Sequence, residues 1–316
     1  MVTLGAGNYT YETSGEDWGK LPQGWTYKEA TAVAVDSQDR VYVFNRGTHP
    51  MVVLDPDGNV INTWGDGLFA NPHGVTVGPD DSVYCVDNLD HTVRKFTTEG
   101  ELLMTLRAEH PSGRMSGDPF CLPCHLAVDQ RTGELYVADG YSNARMHKYS
   151  PDGRLLFSWG ESGTAPGQFN IVHNVTTDKE GWVYVADREN HRIQVFDADG
   201  RYETQWVNLS RAACICTHEE DELLFYVGEY FCGIETNSEG TNLGPRVSII
   251  DGQGGVRARL SEQSYGDEPG RFYSPHGIAV DSKGDIYVAE VGYSDYGQFM
   301  DPPRELRSLQ KLIKKD

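Results

Sequence analysis

The chain has 316 residues and a formal net charge of −20, from 47 acidic against 27 basic residues. This excess of negative charge repels phosphate backbones, so it argues against a nucleic-acid partner and favours a small molecule or a metal ion. No run of the sequence approaches the roughly 20 apolar residues that a membrane helix needs, and the first residues lack the features of a signal peptide. We therefore expect a cytoplasmic protein with no membrane partner.

One sequence unit recurs along the chain at a spacing of about 45–50 residues, a period typical of β-propellers. Each copy holds four short runs rich in β-branched and aromatic residues, separated by Asp-Gly and similar turn signals. Four such runs predict one four-stranded antiparallel blade per copy. The copies open at Thr31, His73, Cys124, His173, a residue near Ala213, and His276.

The last copy has only three runs and ends with residues 308–313. We expect residues 8–13 to supply its missing outer strand and thereby to close a ring. The sequence thus predicts an all-β fold, a single six-bladed β-propeller domain over residues 1–316. The stretches 109–121 and 232–245 are predicted to be long loops, where functional residues are often found.

Three of the opening residues are histidines, and they fall on every second copy: His73, His173 and His276. A lone histidine at a strand start is usually structural. In a closed ring of six, however, alternate copies lie about 120° apart, which would direct three imidazoles to one axial point. Three imidazoles with an open fourth position form a common zinc site, so we predict a metal site here.

The second run of each copy closes on a polar residue at the same end of the blade. These closing residues are Asn45, Asp87, Asp139, Asp187, Glu229 and Glu290. Most are expected to accept hydrogen bonds from turns. Just beyond them come Arg46, Tyr141 and Arg188, so polar groups converge on one face, as in a site for a small molecule.

The six cysteines include a CxxC pair, Cys121 and Cys124, and a CxC pair, Cys214 and Cys216. No second CxxC is present to complete a zinc ribbon. Alternation along a strand puts both thiols of the CxC pair on one face beside the core. Buried, unreactive thiols are therefore the favoured interpretation.

The repeat resembles the NHL family of propellers, most clearly over residues 183–196. Several stretches further resemble the peptidyl-α-hydroxyglycine α-amidating lyases. They are Phe44-Asn-Arg-Gly, Pro72-His-Gly-Val, Asp139-Gly-Tyr-Ser-Asn, Pro166-Gly-Gln-Phe, Val172-His, Ala186-Asp-Arg-Glu-Asn and Pro275-His-Gly-Ile.

This resemblance implies a zinc ion on His73, His173 and His276. It also implies a catalytic tyrosine at Tyr141 and two active-site arginines. Those arginines correspond to Arg46 and Arg188. A structural calcium ion would be held partly by the backbone carbonyls of Val33 and Val75.

The chain departs from the pattern of these lyases at several positions. The aspartate that would contact calcium is replaced by Gly277, and a methionine near the last histidine by Ser274. Cys121 stands opposite Ser142 instead of a disulfide partner, and the positions of a second disulfide are Tyr184 and Val195. The loss of both disulfides fits a reducing compartment.

We therefore predict a zinc-dependent lyase that cleaves the C–N bond of a small carbinolamide carrying a carboxylate, such as an N-acyl-α-hydroxyglycine, to an amide and glyoxylate. One alternative is a metal-assisted hydrolase or hydratase that uses the same site. Another is a non-catalytic NHL interaction propeller. A calcium-dependent lactonase, with the closing residues as oxygen ligands, would leave the histidines unused.

Overall fold

The computed structural model describes residues 1–15, 17–108, 110–219, 221–232, 243–261 and 265–315. The chain falls into two compact units, one of residues 1–66 with 213–316 and one of residues 67–212. Antiparallel sheet accounts for nearly all regular structure in both. None of the described helices is long and apolar enough to span a membrane.

The strands in chain order are β1 (Thr3–Leu4), β2 (Tyr11–Thr13), β3 (Ala30–Val35), β4 (Val41–Asn45), β5 (Met51–Leu54), β6 (Val60–Trp64), β7 (Pro72–Val77), β8 (Val83–Asp87), β9 (Thr92–Phe96), β10 (Leu102–Leu106), β11 (His125–Val128), β12 (Leu135–Asp139), β13 (Arg145–Tyr149), β14 (Leu155–Trp159), β15 (Val172–Thr177), β16 (Val183–Asp187), β17 (Arg192–Phe196), β18 (Tyr202–Trp206), β19 (Arg211–Glu219), β20 (Leu223–Tyr230), β21 (Arg246–Asp251), β22 (Val256–Leu260), β23 (Pro275–Val280), β24 (Ile286–Glu290) and β25 (Leu309–Lys314). The described helical turns are a short α-helix, α1 (Gly292–Asp295), and 3₁₀ turns at Gly7–Tyr9, Arg188–Asn190 and Gly297–Phe299.

In the first unit, β3 to β6 and β19 to β22 each form a four-stranded meander. The third sheet has the order β1-β2-β25-β24-β23, and it therefore joins the two ends of the chain. Strand β2 pairs with β25, with Tyr11 opposite Lys314 and Thr13 opposite Leu312. The prediction that an N-terminal strand completes the last copy is confirmed, and β1 adds a fifth strand outside it.

In the second unit, the meanders are β7 to β10, β11 to β14 and β15 to β18. Together with the three sheets of the first unit they make six consecutive antiparallel sheets, one for each predicted copy. This is the fold of a six-bladed β-propeller, and the all-β prediction is confirmed. The assignment of residues 1–316 to a single domain stays a prediction.

The position of each strand in its sheet explains its composition. Strands β4, β8, β12, β16 and β24, the second in their sheets, are buried along their whole length. This is why they read as continuous runs such as Val-Tyr-Val-Ala instead of alternating with polar residues. The outer strand β10 keeps three exposed residues, whereas β14 has one exposed residue and four half-buried ones.

A β-bulge interrupts the first strand of four sheets at the residue that opens the repeat. In β7, Pro72 pairs with Asp87 and Gly74 with Val86, so the register skips His73. The same skip occurs at Thr31, His173 and His276. A bulge re-aims the side chain of its extra residue and is common beside active sites. By contrast, β11 pairs regularly from His125 onward.

Glycine follows two of the bulged histidines because neighbouring sheets touch there through their backbones. A Cβ on Gly74 would lie 2.5 Å from the Cys124 carbonyl oxygen, and one on Gly277 would lie 2.5 Å from the Ala32 Cα. Neither position has room for a side chain. Gly277 therefore has no space for the aspartate that the implied calcium site requires at this position.

All six cysteines are free thiols. Burial raises the pKa of the Cys124 thiol to about 12 and holds the pKa values of Cys85 and Cys214 well above the usual range. The prediction of burial is confirmed for Cys124 and Cys214, and their low reactivity stays a prediction. The loop predicted at 109–121 lacks regular structure where it is described, and residue 109 lies outside the described residues. Of the loop predicted at 232–245, residues 233–242 also lie outside them.

Replacing Gly74 by alanine should lower the free energy of unfolding by about 1–3 kcal/mol. The added methyl group would force the backbone of β7 away from the backbone at Cys124. Urea unfolding followed by tryptophan fluorescence measures this change. Gly252→Ala is the matched control, since a Cβ there meets no atom within 4 Å. Equal stability of the two variants would contradict the predicted clash.

The Cys124 thiol should be almost unreactive in the folded protein at pH 8, where a thiol of pKa about 12 has roughly one molecule in 10⁴ as the reactive thiolate. Iodoacetamide labelling followed by peptide mass spectrometry measures the rate. The same protein in guanidinium chloride should be labelled rapidly at every cysteine. Comparable rates for Cys124 in the two states would disprove its burial.

Candidate active site

In the second unit, the phenol of Tyr141 lies between two imidazoles. Its hydroxyl oxygen is 3.1 Å from Nε2 of His73 and 3.0 Å from Nε2 of His173. The two imidazole centroids are 5.1 Å apart, and both histidines are buried. The structure thus brings together three of the residues that the sequence assigned to one face.

A backbone hydrogen bond fixes the orientation of the His73 ring. Its Nδ1 is 2.7 Å from the carbonyl oxygen of Cys124. Because a carbonyl can only accept, Nδ1 must carry the proton, and the neutral ring then has its lone pair on Nε2. That lone pair can accept the hydroxyl proton of Tyr141 or bind a metal ion.

Arg188 lies against the same phenol. One of its terminal nitrogens is 3.5 Å from the Tyr141 hydroxyl, and its guanidinium is 5.6 Å from the centre of the Tyr141 ring. Its Nε donates to Glu189 at 2.8 Å, and Arg211 donates to the same carboxylate at 2.6 Å. Burial opposes ionisation of Glu189, but the hydrogen bond from Arg211 and the charge of Arg188 give its carboxyl a lowered pKa.

In the first unit, His276 repeats the arrangement of His73. Its Nδ1 is 2.5 Å from the carbonyl oxygen of Thr31, which assigns the lone pair of the neutral ring to Nε2. The ring is buried, and the Tyr230 ring lies beside it with 6.4 Å between the centroids. Both carbonyl acceptors belong to residues that open a neighbouring copy. Cys124 opens the copy after that of His73, and Thr31 opens the first copy, which adjoins the last copy, that of His276.

Arg46 is held by a buried carboxylate in the first unit. Its guanidinium donates to Glu29 at 2.7 Å and lies 3.4 Å from the Ser294 hydroxyl. Glu29 also accepts the Ser294 backbone N–H at 2.8 Å, so the arginine is tied to helix α1. Nearby, Ser274 donates to the carboxylate of Asp295 at 2.7 Å.

The closing residues serve mainly as acceptors for the loops around them. Asp87 accepts the backbone N–H groups of Ala70 and Asn71, and Asp139 accepts that of Cys121. Glu290 accepts two backbone N–H groups, and its burial raises its pKa to about 7. These contacts agree with the structural role predicted for the closing residues Asp87, Asp139 and Glu290. The calcium-dependent lactonase stays an alternative prediction.

Val33 and Val75 occupy regular ladder positions, opposite Val43 and Cys85 respectively. The calcium site implied for their carbonyls stays a prediction, and Gly277 contributes no carboxylate to it. His125, which follows Cys124, has its Nε2 3.5 Å from the Thr76 hydroxyl. Burial lowers the pKa of this imidazole to about 4.

Sequence reasoning missed the two carboxylates that hold the arginines, Glu29 and Glu189. Glu189 follows Arg188 directly, so its position was a usable signal. Glu29 lies 17 residues before Arg46, and their ion pair depends on folding. The carbonyl acceptors carry no sequence signal, because every residue has a carbonyl group.

Comparison with known proteins places this arrangement in a family. The NHL repeat model matches residues 169–196 and 272–294. Human NHL repeat-containing protein 3 is 33% identical over 87% of the chain and 80% of its own length. The Caenorhabditis elegans protein named "Probable peptidyl-alpha-hydroxyglycine alpha-amidating lyase pgal-1" is 31% identical over 76% of the chain and 67% of its own length.

Peptidyl-glycine α-amidating monooxygenase B of Xenopus laevis is 30% identical over 90% of the chain. The chain matches only 35% of the length of that relative. Among solved structures, streptogramin B lyase superposes with a TM-score of 0.54 at 14% identity, covering 90% of this chain and 78% of the other. That likeness supports the propeller fold. The chain belongs to the family of NHL-repeat propellers that includes NHL repeat-containing protein 3 and the peptidyl-α-hydroxyglycine α-amidating lyases.

Proposed function

We propose that the protein is a zinc-dependent lyase that cleaves the C–N bond of a small N-acyl-α-hydroxyglycine-like carbinolamide to an amide and glyoxylate. The observation that carries the proposal is the phenol of Tyr141 between the Nε2 atoms of His73 and His173, with Arg188 beside it. Relatives named as lyases of α-hydroxyglycine peptides support this substrate class.

His73, His173 and His276 are the proposed zinc ligands. All three are buried and offer nitrogen donors suited to a metal ion, and each occupies the bulge of its strand. In His73 and His276 the Nδ1 proton is committed to a carbonyl, the usual outer support of a metal-binding imidazole. Bound zinc would supply positive charge that polarises the substrate oxygen and eases loss of the hydroxyl proton.

Tyr141 is the proposed acid and base. As the phenolate it takes the hydroxyl proton of the substrate while the C–O bond becomes a carbonyl and the C–N electron pair moves to nitrogen. The same phenol then returns the proton to the departing amide nitrogen, so the step consumes no other reactant. The guanidinium of Arg188, 3.5 Å from the phenol oxygen, stabilises the phenolate by its positive charge.

Arg46 is the proposed partner of the substrate carboxylate. A guanidinium can bind a carboxylate through two parallel hydrogen bonds, which fixes its orientation. Glu29 and Ser294 hold Arg46 on one side. Because these contacts already restrict the rotamers of Arg46, the arginine would lose less conformational entropy when it binds substrate.

A metal-assisted hydrolase or hydratase is the second candidate. Ser274 stands where the resemblance implies a methionine, and its hydroxyl donates to Asp295. This polar pair favours a pocket that admits a different substrate. Turnover in ¹⁸O-labelled water separates the reactions, because lyase cleavage puts no solvent oxygen into the newly formed amide. A non-catalytic propeller would show neither turnover nor stoichiometric metal.

Replacing His173 by alanine should abolish both stoichiometric zinc and turnover of an N-acyl-α-hydroxyglycine, because two imidazoles hold zinc far less tightly than three. Elemental analysis and glyoxylate release measure the two effects. His191→Asn is the control, since His191 has a left-handed backbone (φ 54°) that asparagine tolerates. Full turnover by metal-free His173→Ala protein would contradict the proposal.

Replacing Tyr141 by phenylalanine should lower kcat by about 10²–10⁴, the usual contribution of a positioned acid or base. Zinc content should stay at the wild-type level, because the three imidazoles remain. Steady-state kinetics with parallel metal analysis make the comparison. A kcat within a few-fold of wild type would exclude Tyr141 as the proton-transfer group.

A further inference from the structure

Four aromatic side chains pack on one another in the loops of the first unit, outside the core of the sheets. Phe231 lies 5.6 Å from Tyr265, Tyr265 lies 5.3 Å from Tyr296, and Tyr296 lies 5.1 Å from Tyr273, measured between ring centroids. All four are partly exposed. We call Phe231, Tyr265, Tyr273 and Tyr296 the aromatic cluster.

Members of the aromatic cluster are close in sequence to the proposed active-site residues of this unit. Phe231 directly follows Tyr230, whose ring lies 6.4 Å from that of His276. Tyr273 precedes His276 by three residues, and its backbone N–H donates to Glu290 at 2.6 Å. The loops that carry the cluster therefore emerge at the end of the sheets where His276 lies.

The segment after β24 connects the cluster to Arg46. Ser294 contacts both Arg46 and Glu29, and Tyr296 follows it by two residues at the end of helix α1. In an N-acyl-α-hydroxyglycine, the acyl substituent is likewise only a few bonds from the carboxylate. If Arg46 binds the carboxylate, the acyl group would lie within a few bonds of helix α1, whose end carries Tyr296.

We propose that the aromatic cluster is the subsite for the acyl group and that it selects substrates in which this group is aromatic or otherwise bulky and apolar. The inference rests on the proposed function and specifies its substrate class. Tyrosine rings bury apolar surface and receive an incoming ring in offset or edge-to-face geometry. Partly exposed aromatic surface that borders a polar site is typical of ligand pockets.

Binding of two unreactive glycine conjugates tests the inference without requiring turnover. The purified protein should bind N-benzoylglycine at least tenfold more tightly than N-acetylglycine in isothermal titration calorimetry. Tyr296→Ala and Tyr265→Ala should each reduce this preference to less than about threefold, while Tyr296→Phe should retain it. Phe157→Ala is the matched control, because that half-buried ring packs on Trp159 in the second unit.

Equal affinity for the two conjugates, absence of binding, or a preference that survives both alanine variants would overturn the inference. Thermal unfolding shows whether each variant is folded, and Tyr296→Phe keeps the test valid if an alanine variant is not. Turnover of N-benzoyl-α-hydroxyglycine is measured separately. Its absence from a protein that still prefers N-benzoylglycine would contradict the lyase proposal while leaving the acyl subsite intact.

Discussion

The hydrogen bond from a histidine Nδ1 to a carbonyl of the next copy is the interaction on which the candidate site depends. It links His73 to Cys124 in one unit and His276 to Thr31 in the other. In each case it fixes the tautomer, and with it the atom that carries the lone pair. For His73 and His276, the copy that contributes the imidazole is thus followed by a copy that contributes its acceptor.

Two features of the backbone make this hydrogen bond possible. The bulge removes each histidine from the ladder of its own sheet, so its side chain is not confined to the direction set by the pleat. The glycine that follows lets the next sheet approach closely enough for its carbonyl to be reached. The sequence His-Gly in Pro72-His-Gly-Val and Pro275-His-Gly-Ile therefore reflects packing as well as chemistry. The closing carboxylates complete the frame by binding the N–H groups of the entering loops.

Much of this arrangement could be predicted from the sequence, because a repeat multiplies a weak local signal. Four runs per copy predicted the sheets, and the short last copy predicted the pairing of Tyr11–Thr13 with the C-terminal strand. The positions of Tyr141 and Arg188 followed from strand direction. The bulges, the carbonyl acceptors and the pairing of Arg46 with Glu29 could not be predicted, because they depend on backbone geometry and on contacts between distant residues. The aromatic cluster was missed for the same reason, since its members come from separate loops.

We propose that imidazoles of alternate copies bind one zinc ion beside the phenol of Tyr141. Anomalous diffraction from crystals of the protein, measured on both sides of the zinc absorption edge, tests it most directly. We expect a single strong zinc peak bound by the Nε2 atoms of His73, His173 and His276 at about 2.0–2.1 Å. Absence of a peak at these imidazoles, or a metal bound instead by the closing carboxylates, would contradict it.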